Sequence, residues 1–126
     1  MISPDSKKVL IVDDSSFQRK LIKYALQREG FEILDEAETG DDAVEKFRQL
    51  HPPLVIMDIV LPRMDGITAL QEMKKLDSNA KVIMISSYSS KEKVTQALTA
   101  GAKQYLLKPF EPEKLIEATN KVLEDS

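Results

Sequence analysis

Leu54-Val55-Ile56-Met57-Asp58 is the stretch on which the reading of this chain turns. Four consecutive apolar residues are too few for a helix. A short apolar run bounded by turn residues fits a strand covered on both faces, as in a parallel sheet. The run delivers one carboxylate, Asp58, to a loop holding Leu61-Pro62-Arg63-Met64-Asp65-Gly66. In open parallel sheets the chemistry sits just beyond the carboxyl ends of the strands, so pattern alone places Asp58 at a functional edge.

Working outward, similar runs recur on both sides. Val9-Leu10-Ile11-Val12 stops at Asp13-Asp14-Ser15-Ser16, Val82-Ile83-Met84-Ile85 breaks into Ser86-Ser87-Tyr88, and Gln104-Tyr105-Leu106-Leu107 ends at Lys108-Pro109-Phe110. Phe31 to Ala37 mixes apolar with charged residues, as expected of an edge strand. Between these runs the apolar residues recur at helical spacing. The first helix is expected over 16–29, opened by a Ser15/Gln18 capping box, with Phe17, Leu21, Tyr24 and Ala25 inward and Gly30 as its stop. The second follows Thr39-Gly40-Asp41-Asp42 and buries Ala43, Val44, Phe47 and Leu50, and the third follows Gly66 with Ile67, Ala69, Leu70 and Met73 inward. A Ser89/Glu92 capping box opens the fourth, which uses Val94, Ala97 and Leu98 as far as Gly101; the fifth starts near Pro112 with Leu115, Ile116, Thr119, Val122 and Leu123 inward. Five strand–helix units imply an α/β fold, a doubly wound parallel sheet with right-handed crossovers and helices on both faces.

Composition narrows the function classes. At 126 residues the chain is one domain, long enough to bury close to about 70% of its unfolded surface. Residues 7–126 are read as that domain and 1–6 as a disordered leader, without the basic start and apolar stretch of a secretory signal. The chain has no cysteine, which removes disulfides, thiolate metal sites and thiol nucleophiles. No apolar run approaches a membrane span, and a net charge of −3 with interspersed signs gives no basic footprint for nucleic acid. A cytoplasmic protein with no membrane insertion and no direct nucleic-acid partner is expected.

If the sheet is parallel, Asp13-Asp14, Asp58, Ser86 and Lys108 share one edge and meet in one cleft. Three carboxylates there repel pairwise by roughly 3 kcal/mol at about 5 Å and an effective dielectric near 20. Lys108 offsets part of this, and a small divalent cation offsets more. Mg²⁺ takes one or two carboxylates, keeps several waters and favours phosphate oxygens, so it suits a shallow all-oxygen site better than Ca²⁺; Mn²⁺ is a substitute. An aspartate beside such an ion and an ammonium is a nucleophile suited to receive a phosphoryl group, with Ser86 donating to one of its oxygens. A new group of about −1.5 to −2 charges on Asp58 would draw on Ser86 and Lys108 and move the loops that carry them.

The ordered set Val12-Asp13-Asp14-Ser15, Met57-Asp58, Leu61-Pro62-Arg63-Met64-Asp65-Gly66, Ile85-Ser86-Ser87 and Tyr105 ahead of Lys108-Pro109-Phe110 resembles the response-regulator receiver domains of two-component systems, of the single-domain chemotaxis type, over about Lys8 to Leu123. The resemblance implies a flavodoxin-like sheet of strand order 2-1-3-4-5 with five helices. It implies Asp58 as phosphoacceptor, Asp14, the Asp58 carboxylate and the Val60 carbonyl as direct Mg²⁺ ligands, Asp13 acting through water, Ser86 as switch hydroxyl, Lys108 as phosphate partner and Tyr105 as an aromatic rotamer switch. It also implies a cis Lys108-Pro109 peptide. The expected donor is a histidine kinase or phosphotransfer protein. The expected output is a surface change on the fourth helix, fifth strand and fifth helix, read by a target protein or by an attached output domain if the regulator is longer. Such a domain is not an enzyme on a separate substrate, since it assists only its own phosphorylation and dephosphorylation. Three positions depart from the commonest pattern: Ser87 stands where alanine is more frequent, and Val60 and Tyr88 flank the site where polar residues are usual. A bulky Tyr88 beside Val60 is expected to hinder the hydrolytic water and lengthen the phosphorylated state.

Three rivals fit less well. A Mg²⁺-dependent aspartyl phosphatase usually needs Asp-x-Asp at the nucleophile, and Asp58-Ile59-Val60 lacks the second acid. A flavodoxin-like electron carrier needs an anion-binding loop after strand one, where Asp13-Asp14 would repel a flavin phosphate. A receiver-like module that works without phosphorylation would be expected to lack the site residues. His51, between Leu50 and two prolines, reads as a loop residue and not as a phosphorelay histidine.

Overall fold

The computed structural model describes residues 2–88 and 90–124. Five strands, β1 (Lys8–Val12), β2 (Glu32–Ala37), β3 (Leu54–Asp58), β4 (Val82–Ser86) and β5 (Gln104–Leu107), alternate with five helices, α1 (Ser16–Arg28), α2 (Gly40–Leu50), α3 (Gly66–Leu76), α4 (Lys91–Thr99) and α5 (Pro112–Glu124). All strand pairs are parallel, in the order β2-β1-β3-β4-β5. This is the doubly wound, flavodoxin-like arrangement that the resemblance implied, with β2 on an edge.

The central runs are continuous in sequence because both faces of the sheet are covered. Leu10, Val12, Val55, Met57, Val82 and Met84 face the helices α2, α3 and α4 through Phe47, Leu70, Met73 and Ala97. Val9, Ile11, Leu54, Ile56, Ile83 and Ile85 face α1 and α5 through Ile22, Leu26, Leu115, Val122 and Leu123. Alternate residues of each strand therefore serve opposite cores.

Helix caps fall at the polar residues that precede α1 to α4. Ser15, Thr39 and Asp65 each accept a hydrogen bond from the backbone N–H three residues on. The α4 cap is Ser90, whose hydroxyl accepts from Lys93 N at 3.2 Å; Ser89, expected in that role, lies outside the described residues. Residues Pro4–Ser6 of the leader form a short 3-10 turn capped by Ser3, a local structure that the expectation of a disordered leader did not include.

Three helix faces differ from the sequence reading. In α1 the buried residues are Ile22, Ala25 and Leu26, whereas Phe17, Leu21 and Tyr24 are 69%, 50% and 65% exposed. The helix carries two apolar stripes about 130° apart, and the sheet takes the aliphatic one. In α4 only Ala97 is buried and Leu98 lies exposed, while Leu50 at the end of α2 is also exposed.

Candidate functional site

The carboxyl ends of β1, β3, β4 and β5 lie side by side, because the register pairs Val12 with Met57, Asp58 with Ile85 and Ser86 with Leu107. Asp13, Asp58 and Ser86 are buried there, and Asp14 is exposed. The backbone closes round them: Asp13 N donates to Ala37 O at 3.1 Å, Ile59 N to Ile85 O at 3.2 Å and Lys108 N to Ser86 O at 2.8 Å.

Gly66 shapes the loop after Asp58. A Cβ at that position would lie 2.1 Å from the Asp58 carbonyl oxygen, so only glycine lets α3 begin against the strand end. Gly66 N also donates to Ile59 O at 2.7 Å. The Asp65-Gly66 pair is thus turn and helix-start chemistry, with Asp65 as the cap.

Lys108 bridges two of the acids. Its ammonium donates to Asp58 Oδ2 at 2.7 Å and to Asp13 Oδ2 at 2.8 Å. The other oxygens are held by backbone: Asp58 Oδ1 accepts from Val60 N at 3.2 Å and Asp13 Oδ1 from Ser15 N at 2.9 Å. Burial pushes the Asp58 carboxyl above its ordinary value, with Lys108 pulling against this and the Asp13 charge adding to it. At Lys108 burial opposes the charged form, yet the bonds to Asp13 and Asp58 prevail and raise its pKa.

Asp13, Asp14 and Asp58 each bring one carboxylate oxygen into a group whose members all lie within 4.8 Å of one another. One ammonium does not neutralise three carboxylates. An all-oxygen donor set at an open edge fits a hard divalent cation, and Asp13, Asp14 and Asp58 are the residues that could hold it.

Ser86 Oγ accepts from Tyr88 N at 3.1 Å, and the Tyr105 hydroxyl donates to Tyr88 O at 2.8 Å. One backbone residue thus joins the β4 end to β5. Val60 and Tyr88 both expose their side chains, and the Lys93 ammonium lies 5.7 Å from the centre of the Tyr88 ring. The Lys108-Pro109 peptide is cis, as the resemblance implied. His51 ends α2 in the left-handed region at φ 47° and is exposed.

One neighbour of the site escaped the sequence reading. Arg19 Nη1 donates to the Asp13 carbonyl at 2.7 Å. A bond to a main-chain oxygen carries no residue-type signature, and the only available signal was a basic residue in the first turn of a helix that follows an acid pair.

The chain matches the family model described as the response regulator receiver domain over residues 9–120, and it belongs to that family. Phosphorylation-dependent switching is the general function of such domains. Within the family it is similar to the chemotaxis protein CheY: 48% identical to that of Bacillus subtilis over 116 residues, 92% of this chain and 97% of the relative, and 46% identical to that of Thermotoga maritima over 116 residues, with the same shares. Among solved structures, the CheX-CheY-BeF₃-Mg²⁺ complex from Borrelia burgdorferi contains a chain of 39% identity that superposes with a TM-score of 0.89, covering 91% of this chain and 87% of that one. No helix among the described residues is long and apolar enough to cross a membrane.

Proposed function

We propose that residues 7–126 form a two-component switch that takes a phosphoryl group from the phosphohistidine of a histidine kinase or phosphotransfer protein onto Asp58, with Mg²⁺ bound, in the cytoplasm. The observation that carries this reading is the Lys108 ammonium bridging Asp58 and Asp13 beside Asp14. Mg²⁺ would be held by Asp14, Asp58 and the Val60 carbonyl, with Asp13 through water, and would neutralise charge on the phosphoryl oxygens. A related structure of 39% identity that contains Mg²⁺ and BeF₃ supports the assignment.

An Asp58 carboxylate oxygen forms the new O–P bond as the N–P bond of the donor breaks, and the imidazole leaves with the electron pair. Lys108 stays beside Asp58 and meets the added negative charge. Ser86 has its Oγ lone pair on Tyr88 N and its own O–H available to donate to a phosphoryl oxygen. Movement of that hydroxyl shifts Tyr88, and Tyr105 is fixed to the Tyr88 carbonyl. Site occupancy is in this way relayed to β5 and to the α4–β5–α5 face, where Leu98 and Leu107 present exposed apolar side chains to a target protein.

As such a switch the domain acts on no separate metabolite. The test is incubation with acetyl phosphate and Mg²⁺ followed by intact mass measurement. A gain of one phosphoryl that needs Mg²⁺ and disappears in Asp58→Asn is expected; an unlabelled parent removes the reading and favours a module that binds partners unphosphorylated.

A further inference from the structure

The Asp13 carbonyl bond from Arg19 has no part in the phosphoryl chemistry, yet it belongs to a built assembly. The Arg19 side chain is only 11% exposed. Its Nε donates to Glu36 Oε1 at 2.9 Å and its Nη2 to Glu38 Oε1 at 3.3 Å, while Lys23 Nζ holds the other Glu36 oxygen at 2.8 Å. A planar guanidinium is thereby held on two sides by carboxylates, and its third side points the Nη1 donor at the peptide leaving β1.

That peptide carries Asp14 on its far side. The other hydrogen-bonding groups of Asp13 are taken by Ala37 O, Ser15 N and Lys108 Nζ. Asp14 is different: among the described residues no hydrogen bond or ion pair holds its exposed carboxylate. The place of that carboxylate, inside the 4.8 Å group with Asp13 and Asp58, is set by its backbone, and the Asp13–Asp14 peptide plane is set at its oxygen by Arg19.

We propose that Arg19, locked by Glu36, is a positioning residue that aims Asp14 into the divalent-cation site. The inference rests on the reading of Asp13, Asp14 and Asp58 as that site. Its sign separates it from a charge effect. A guanidinium beside three acids repels a cation, so an arginine acting only through charge would weaken Mg²⁺ binding, and its removal would strengthen it. A positioning role predicts the opposite, since partners that orient metal ligands typically contribute about 10-fold to about 100-fold in affinity.

The experiment is calorimetric titration of Mg²⁺ into the unphosphorylated full chain, with circular dichroism confirming the fold of each variant. Arg19→Gln is expected to bind Mg²⁺ about 10-fold more weakly than the parent. Arg19→Lys is also expected to bind weakly, because it keeps the charge and loses the fork. Glu38→Gln, which leaves the carbonyl bond intact, is expected to bind as the parent does. Should Arg19→Gln not fold, Arg19→Lys and Glu36→Gln, which frees the fork from its far side, decide the matter in the same assay. Parental or tighter binding in the folded Arg19 variants overturns the proposal while leaving the cation site standing. A parent that binds no Mg²⁺ sinks the cation site itself and this inference with it.

Discussion

The Lys108 ammonium lies 2.7 Å from Asp58 Oδ2, a contact between residues 50 positions apart that joins the end of β5 to the end of β3. The same ammonium serves Asp13 at 2.8 Å, so one cation holds together acids delivered by two different strands. Truncating one partner of a buried ion pair leaves the other charge uncompensated, at a cost of roughly 3 kcal/mol. Lys108→Met is therefore expected to lower the stability of the metal-free protein by about that amount and to recover part of the loss in Mg²⁺. Urea unfolding with and without Mg²⁺ measures both, and an unchanged midpoint without the ion contradicts it.

Asp58 sets a pH dependence of defined sign. Burial raises its folded pKa above the ordinary 3.8, against the pull of Lys108. The folded metal-free chain then holds a proton that the unfolded chain has lost, so stability declines as pH rises from that ordinary value through the raised one. Asp58→Asn removes the decline and leaves Lys108 paired with Asp13. The variant is expected to be more stable than the parent at neutral pH without Mg²⁺ and to lose the parent's stabilisation by Mg²⁺. Thermal unfolding across the acid-to-neutral range checks this, and a parent that is the more stable at neutral pH refutes it.

The α1 face gives a mutational contrast. Phe17→Ser alters an exposed aromatic and is expected to change stability by no more than about 0.5 kcal/mol. Leu26→Ala opens the core beneath Val9 and Ile11 and is expected to cost about 2 to about 5 kcal/mol. Denaturant midpoints of the two variants measure the difference; a larger loss for Phe17→Ser would mean that the aromatic stripe faces the sheet.

Tyr88 and Val60 flank the proposed phosphoacceptor with exposed apolar bulk. If they hinder the hydrolytic water, Tyr88→Ala dephosphorylates faster than the parent. Loss of label with time after removal of the phosphodonor gives the rate, and an unchanged or slower rate eliminates the idea.

The fold was legible because a strand buried on both faces must be apolar at every position, and Val9 to Val12, Leu54 to Met57 and Val82 to Ile85 are. The candidate site was legible for a related reason: Asp13, Asp58 and Ser86 each terminate or follow such a run, Lys108 follows the half-exposed edge strand β5, and parallel topology carries the ends to one edge. Strand order came from resemblance, since hydrophobic pattern does not say which strand neighbours which. Helix faces were less legible. Phe17, Leu21 and Tyr24 form as good a helical stripe as Ile22, Ala25 and Leu26, and only packing against Val9 and Ile11 chooses between them. The link from Arg19 to the site was invisible because it runs to the Asp13 carbonyl oxygen, a group every residue possesses.

Asp58 is the proposed nucleophile, activated by the residues around it. Borohydride reduces an acyl phosphate to an alcohol, so the phosphorylated aspartate becomes homoserine and can be located by peptide mass spectrometry. After acetyl phosphate and Mg²⁺, homoserine is expected at position 58 and at no other aspartate, with none formed when Mg²⁺ is withheld. Homoserine at Asp13 or Asp14, or its Mg²⁺-independent appearance at 58, would contradict it.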